Sequence, residues 1–357
     1  MRWAPLLVLV LALVSVVACR EASTEPPAGR VTLALSGDTH GYNIAVNPSL
    51  EGRDLLEGAG EVLEKADVFV FNHEGTLIDP SDAPQHCRTF ETQSTFVSPP
   101  TFARRLAVMP RVVATLANNH AMDCGPEGLA QTRKAFEEAG VLTVGAGSNL
   151  AEACQPAEVT VNGVDVSFFA YFLRDVSGQL EEVVATEQTP GVATMDGCGA
   201  EAAVRAAAAQ KAVVVSLHSH AGQSWTSDTA PEHLSAVRHL LEWGADVVVS
   251  HGPHLPQGVV TDARGVGFLS LGNFLFRPDY TMPPEAHQSL LALVGMADSG
   301  VVESRLYPLE LTSDGLPVLA RGQTSRQILE VVSGLSHQHG GIVSLQDGFG
   351  IVQVGDP

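Results

Sequence analysis

The chain has 357 residues, of which 45% are hydrophobic; this composition excludes global disorder and allows one large domain or two smaller ones. The formal net charge is −20. A surface this acidic argues against nucleic acid and against an anionic membrane surface as partners. The 20 lysines and arginines are scattered without a basic patch, so a polyanionic substrate would need metal ions to offset its repulsion.

The N-terminus has the pattern of an export signal. Arg2 precedes a short apolar run, and the string Val16-Val17-Ala18-Cys19 resembles the lipobox of bacterial lipoproteins, whose cysteine is lipidated and becomes the first residue. We predict a lipoprotein signal peptide over residues 1–18 and a flexible Glu/Ser/Thr/Pro tether over residues 19–30. The resemblance implies an extracytoplasmic protein of the bacterial cell envelope, anchored through Cys19 to the inner or the outer membrane. The alternative is an ordinary signal peptide with an incidental cysteine.

Four further cysteines follow the predicted tether: Cys87, Cys124, Cys154 and Cys198. In an exported chain an even number of cysteines allows up to two disulfides, and three pairings are open. No spacing among them is typical of a zinc site, and buried free thiols are the alternative.

The first half of the chain predicts strands that alternate with helices. Apolar runs predict strands over residues 31–35, 67–71, 112–117 and 141–144, and helical periodicity predicts helices over residues 53–66 and 126–139. A polar segment from Asp79 to Pro100 is too long for a plain connector, which favours a flap over a site.

The second half predicts more antiparallel structure. Asn162-Gly163 predicts a two-residue hairpin, with strands over residues 159–161 and 164–168. Further elements are strands over 213–217 and 246–249, helices over 201–211, 231–243 and 325–332, and mostly β structure over 259–319 with turns near Gly265 and at Asp314-Gly315. This order predicts an α/β fold, as a mixed sheet or two facing sheets with helices outside. We expect one domain over residues 31–335 and a C-terminal tail over residues 336–357.

Polar, metal-binding side chains follow five of the predicted strands. These positions are Asp38 with His40, Glu74, Asn119 with His120, His218 with His220, and His251 with His254. Seven of the 13 histidines lie in these short windows when His73, beside Glu74, is included, a clustering that is typical of metal sites. Because parallel strands share one carboxyl edge, we expect these residues to converge.

The predicted ligand set fits two divalent ions better than one. A closed structural zinc site takes four ligands, whereas about seven are available here, with carboxylate and amide oxygens mixed with imidazoles. Such a set without thiolates suits Mn, Fe, Zn or Co. A pair of ions would supply a hydroxide nucleophile and would stabilise the oxygens that gain charge in a hydrolysis.

Several short motifs resemble the CapA family of capsule-synthesis, or poly-γ-glutamate biosynthesis, proteins, which is similar to the calcineurin-like metallophosphoesterases. The matching strings are Gly37-Asp38, Asn72-x-Glu74, Ala117-Asn118-Asn119-His120-x-x-Asp123-x-Gly125, the His218 region, Gly244-Ala245-Asp246 with His251-x-Pro253-His254, and Ser270-Leu271-Gly272-Asn273-Phe274. The resemblance implies a four-layer α/β/β/α sandwich of metallophosphoesterase type with a dimetal centre at one edge.

The resemblance also implies a role for each site residue. Asp38 and His40 would hold one ion, and Glu74 would take the place of the bridging aspartate. Asn119 and His218 would hold the other ion, with His251 and His254 divided between the two; His220 is the alternative to His218. His120 would protonate the leaving oxygen, and Asp123 would orient His120 or the loop. The Asn-x-Glu string departs from the phosphoesterase pattern, which has an aspartate at the bridging position.

These observations predict a lipid-anchored envelope protein with dimetal hydrolase activity. Its substrate would be a phosphoester or an envelope polymer such as poly-γ-glutamate, and the resemblance implies a capsule-synthesis complex as partner. The rival hypothesis is a non-catalytic subunit that binds or exports the capsule polymer. A solute-binding lipoprotein is a weaker alternative, because the chain lacks the pattern of two similar lobes.

Overall fold

A computed structural model describes residues 29–42, 44–87, 95–173, 181–219, 224–276 and 282–355. The predicted signal peptide, Cys19, nearly all of the tether and the alternative ligand His220 lie outside the described residues. Within these ranges, no helix combines the length and apolar character needed to cross a membrane.

The described residues form twenty strands, eight α-helices and four short 3-10 helices. The strands are β1 Val31–Thr39, β2 Val68–His73, β3 Thr76–Leu77, β4 Val97–Ser98, β5 Val112–Thr115, β6 Leu142–Val144, β7 Ala146–Gly147, β8 Ala157–Val161, β9 Val164–Leu173, β10 Gly191–Val192, β11 Ala212–Ser219, β12 Val247–His251, β13 Val259–Thr261, β14 Val266–Phe268, β15 Asn273–Leu275, β16 Gln288–Ala297, β17 Gly300–Leu311, β18 Pro317–Leu319, β19 Val343–Leu345 and β20 Gly350–Val352. The α-helices are α1 Gly60–Leu63, α2 Ala83–His86, α3 Phe102–Leu106, α4 Gly125–Glu138, α5 Leu150–Ala153, α6 Ala200–Ala208, α7 Pro231–Glu242 and α8 Gly322–Gln338, and the 3-10 helices are Pro48–Leu50, Glu57–Ala59, Glu181–Val183 and Pro284–His287.

The larger sheet has the order β19-β20-β17-β16-β1-β2-β5-β6, with β15 beside β1 and β18 beside β17. Its parallel part, β1-β2-β5-β6, is formed by the apolar runs of the first half of the chain. These strands are buried on both faces, which explains why their sequences read as continuous apolar runs without alternation.

The smaller sheet has the order β13-β14-β12-β11-β9-β8, and its centre, β9-β11-β12, is parallel. The predicted hairpin between β8 and β9 is confirmed: Asn162 and Gly163 both have positive φ, at 52° and 84°, as a tight two-residue turn requires.

The two sheets pack face to face with helices outside, so the predicted four-layer α/β/β/α sandwich is confirmed. Along β11, Val214 belongs to the core that continues into the larger sheet, whereas Val213 and Val215 pack with Val204 of α6 and Val237 of α7. The Ser216 hydroxyl bonds across the interface to Thr115 of the larger sheet, at 3.0 Å. On the far side of that sheet, the rings of Phe71 and Phe136 of α4 lie 6.0 Å apart.

Two segments differ from the elements predicted. The helix predicted over residues 53–66 consists only of Glu57–Ala59 and α1, because Gly58 and Gly60 weaken a helix and Gly58 lies against the backbone of Pro317. Residues 336–357, predicted as a C-terminal tail, contain the end of α8 and strands β19 and β20, and β20 pairs with β17. The helix predicted over 325–332 is thus longer, and these residues extend the larger sheet.

The four cysteines form two disulfides. Cys87 bonds to Cys124 and Cys154 bonds to Cys198, which selects one of the three pairings and excludes the free-thiol alternative. The first disulfide ties the long polar segment to the start of α4. The second joins the end of α5 to the residues before α6.

Candidate metal centre

The backbone brings polar strand ends from both sheets to one place. Asp38 of β1 lies in register between Asn72 of β2 and Asn273 of β15. In the smaller sheet, His218 of β11 is in register with His251 of β12. The carboxyl ends of these strands face one another across the sandwich.

Two glycines allow neighbouring backbone segments of each sheet to lie close together at this site. A Cβ atom at position 37 would lie 1.9 Å from the carbonyl oxygen of Gly272. Gly252 has φ of 107°, a conformation that favours glycine, and a Cβ there would lie 2.1 Å from the carbonyl oxygen of Ser219. The amide of Gly252 donates to Asp38 Oδ2 at 3.3 Å. A larger residue at position 37 would displace the backbone at Gly272, beside β1 in the larger sheet, and one at position 252 would displace the end of β11 in the smaller sheet.

Asp38, Glu74 and His254 form the centre of the cluster. One ligand atom from each lies within 4.8 Å of the other two, and all three side chains are buried. His254 Nδ1 is 3.2 Å from Asp38 Oδ2, and His254 Nε2 is 3.9 Å from Glu74 Oε1. Carboxylate and imidazole ligands at this spacing can hold one divalent cation.

Two further histidines adjoin the cluster from the smaller sheet. His218 Nε2 lies 3.7 Å from Glu74 Oε1, and His251 Nδ1 lies 3.4 Å from Asp38 Oδ1. Their rings are stacked, with centroids 6.5 Å apart. The structure therefore brings five of the seven predicted ligands together.

The other two predicted ligands, His40 and Asn119, are not among these five residues. The His40 ring packs between Phe96, at 4.3 Å, and Phe276, at 4.0 Å, and its Nδ1 accepts the amide of Tyr42. Its Nε2 is buried without a hydrogen-bond partner. The same holds for the side-chain oxygen of Asn119. His73 packs on the opposite face of the sheet, 5.0 Å from the ring of Phe136 in α4.

The unpaired polar atoms at this edge fit bound cations. Besides His40 Nε2 and Asn119 Oδ1, the atom Glu74 Oε2 is buried with no hydrogen bond. Buried polar atoms nearly always form hydrogen bonds, so several unbonded polar atoms at one place indicate a ligand site. Coordination by divalent ions would satisfy them, and oxygen and imidazole ligands without thiolate suit Mn, Fe, Zn or Co.

The charges in the cluster are strongly coupled. Burial and the charge of Asp38 raise the pKa of Glu74 to about 7. Burial lowers the pKa of His254, but the carboxylates of Glu74 and Asp38 outweigh it and raise that pKa to about 9. Burial raises the pKa of Asp38, but bonds to His251 and His254 outweigh it and bring it well below its usual value. Without a cation, this cluster therefore retains protons near neutral pH.

His120 and Asp123 form a separate pair beside the cluster. His120 Nδ1 lies 2.9 Å from Asp123 Oδ2, which also accepts the amide of Phe96 at 2.8 Å. Burial lowers the pKa of His120, but the bond to Asp123 and the charges of Asp123 and Glu74 raise it above its ordinary value. The contact fixes Nδ1 and leaves Nε2, on the opposite side of the ring, for proton transfer.

Three asparagines organise the site, and the sequence analysis assigned none of them a role. Asn72 Nδ2 donates to Asp38 Oδ1 at 2.9 Å and lies 3.3 Å from His218 Nδ1. Asn273 Oδ1 is 3.0 Å from His254 Nδ1, and Asn118 Nδ2 donates to Asn72 Oδ1 at 3.1 Å. Asn72 and Asn273 lie within the strings that carried the family resemblance, which was the available signal.

The chain is similar to bacterial capsule-synthesis proteins. The profile of the family described as bacterial capsule synthesis protein PGA_cap matches residues 32–278. The capsule biosynthesis protein CapA of Bacillus anthracis is 31% identical over 208 residues, 57% of this chain and 49% of that protein. The PGA biosynthesis protein CapA of Bacillus subtilis is 30% identical over 200 residues, 56% of this chain and 50% of that protein. The chain thus spans about half the length of these two relatives.

Among solved structures, the chain is similar to a 5'-nucleotidase precursor from Thermus thermophilus. The match covers 81% of this chain and 56% of that one, with 14% sequence identity and a TM-score of 0.47.

Proposed function

The chain belongs to the bacterial capsule synthesis protein PGA_cap family, and we propose that it is a metal-dependent hydrolase of the cell envelope. Its substrate would be a phosphoester or an envelope polymer such as poly-γ-glutamate. The observation that carries this proposal is the convergence of Asp38, Glu74 and His254, with ligand atoms within 4.8 Å of one another. Buried carboxylates and imidazoles with unpaired atoms are expensive to maintain unless they hold cations.

Two divalent ions held by the cluster would polarise the scissile group and activate a water molecule. Asp38, Glu74 and His254 would contribute ligands, together with His218 and His251 from the smaller sheet. Asn72 orients Asp38 through its amide, and Asn273 orients His254 through Nδ1. His40 and Asn119 would each offer the one side-chain atom that lacks a hydrogen bond.

His120 would act as the general acid in this reaction. Asp123 holds its Nδ1 and favours the protonated ring, so Nε2 can give a proton to the leaving oxygen. Both residues belong to the loop that follows β5 and that precedes α4. The loop is held by Asn118, whose side chain bonds to Asn72 and to the carbonyl oxygen of His73.

The proposed location is outside the cytoplasm, with Cys19 lipidated and the protein working beside other capsule-synthesis components. Two disulfides support this location, because disulfides persist in oxidising compartments. The net charge of −20 gives no support for a nucleic-acid partner.

The test combines metal reconstitution with a hydrolase screen. Protein stripped of metal and reloaded with Mn or Zn would be assayed on phosphomonoesters, phosphodiesters and γ-glutamyl polymers. Turnover that His120→Gln reduces by about 10²–10⁴-fold supports the proposal. Metal binding without turnover on any of these substrates favours the rival, a non-catalytic subunit that binds or exports the capsule polymer.

A further inference from the structure

Aromatic rings form a continuous set beside the candidate metal centre. Trp225 stacks on His254 with ring centroids 4.7 Å apart, and His254 lies 5.3 Å from Phe276. Phe276 is edge-on to Phe96 at 5.7 Å, and Phe96 lies 6.0 Å from Tyr42. We name Tyr42, Phe96, Phe276 and Trp225 the aromatic arc. It extends from a predicted metal ligand towards the opposite side of the site.

The arc also reaches the proposed general acid. The ring of Phe96 lies 4.4 Å from that of His120, and its amide donates to Asp123 Oδ2. Phe96 is held from the other side as well, because its carbonyl oxygen accepts the amide of Thr76 at 2.8 Å. The arc is therefore fixed relative to both the cluster and His120.

The arc is accessible at its two ends and buried at Phe276. Phe96 and Trp225 are half-buried, and Tyr42 is 40% exposed. Trp225 and His254 both have positive φ, at 64° and 61°, and the amide of Trp225 donates to the carbonyl oxygen of Pro253. Non-glycine residues held in this conformation cost free energy and are concentrated at functional sites. A partly exposed indole beside a polar centre offers a flat apolar surface to a ligand.

Acidic groups outnumber lysines and arginines among the described contacts of the centre. Within the described residues, no lysine or arginine bonds to Asp38, Glu74 or Asp123. The chain as a whole carries a net charge of −20. A neutral ring can stack on the aromatic arc without this repulsion, whereas a run of carboxylates next to the scissile group meets it.

We propose that the aromatic arc is a binding subsite for an uncharged aromatic or heteroaromatic ring, carried by a phosphoester substrate next to its scissile group. This inference rests on the proposed hydrolase function and narrows it to the phosphoester alternative. Trp225 and Tyr42 supply the accessible rings. The metal centre would hold the phosphoryl group, and the aromatic arc would bind the ring attached to it.

The experiment compares three unreactive phosphonates on the Mn-loaded protein by titration calorimetry: methyl-, cyclohexylmethyl- and benzylphosphonate. We expect benzylphosphonate to bind about 2- to 10-fold more tightly than cyclohexylmethylphosphonate, because ring stacking adds to the burial of apolar area. Trp225→Leu and Tyr42→Ala should each reduce this ratio. Trp243→Phe is the matched control, since Trp243 packs on His239 of α7 instead. Benzylphosphonate should quench the fluorescence of Trp225 in this variant.

Equal affinities for the benzyl and cyclohexylmethyl ligands in the unsubstituted protein overturn the proposal. So does a ratio that both Trp225→Leu and Tyr42→Ala leave unchanged while Mn affinity is retained. The hydrolase function is tested separately by turnover of methyl p-nitrophenyl phosphate. No turnover of this ester or of any other substrate in the hydrolase screen, with a preserved benzyl preference, would reject the hydrolase and keep the ring subsite.

Discussion

The disulfide between Cys87 and Cys124 gives a prediction that separates stability from function. Cys124 directly follows Asp123, and Cys87 directly follows α2 in the long polar segment. This disulfide therefore holds the loop that carries the proposed general acid. The Cys154–Cys198 disulfide joins the end of α5 to the residues before α6 and serves as a matched control. The perturbation is the replacement of each pair by serines.

The two disulfides should contribute similarly to the free energy of unfolding. The cysteines are separated by 37 and 44 residues, and loop-closure entropy for loops of these lengths gives about 4 kcal/mol for each. Urea unfolding of both double variants at 25 °C would measure the two losses. Their similarity matters more than their size, because strain and residual structure in the unfolded chain affect both.

The two variants should differ in activity at temperatures where both remain folded. Loss of Cys87–Cys124 loosens the loop that positions His120, so turnover should fall by about tenfold or more with little change in Mn affinity. Loss of Cys154–Cys198 should leave turnover close to that of the unsubstituted protein. Equal turnover in the two folded variants would refute the reasoning.

Further predictions concern the cluster itself. Asp38→Asn should lower Mn affinity by at least tenfold in calorimetric titration, since it removes a buried charged ligand; unchanged affinity would exclude Asp38 as a ligand. Mn affinity should rise as pH increases from 6 to 9, because Glu74, with a pKa of about 7, and His254, with a pKa of about 9, must release protons to coordinate; a flat profile contradicts this. Gly37→Ala should lower the thermal midpoint sharply, because its Cβ would lie 1.9 Å from the carbonyl oxygen of Gly272, and an unchanged midpoint would mean that the backbone at Gly272 can move aside.

The sequence predicted the site because its key residues directly follow apolar strands. Asp38, Glu74, His218, His251 and His254 end such runs. Parallel strands place their carboxyl ends on one edge of each sheet, and the face-to-face packing of the two sheets brings these edges together. The hairpin at Asn162-Gly163 was equally predictable, since few residue pairs adopt that turn.

Other features depend on tertiary contacts that local patterns do not encode. The helix expected over 53–66 had the right apolar spacing, but its glycines and the packing of Gly58 on Pro317 determined the outcome. The roles of Asn72 and Asn273 follow from the register of three strands, and a single sequence gives no register. The disulfide pairing was open because a single sequence does not show which cysteines lie close together in the fold.

We propose that strand ends from two sheets hold a pair of divalent ions. Elemental analysis of the purified protein after stripping and reloading with Mn or Zn, beside the His254→Ala variant, tests this directly. We expect two ions per chain in the unsubstituted protein and fewer in the variant. No bound metal in the reloaded protein, or an unchanged content in the variant, would contradict it.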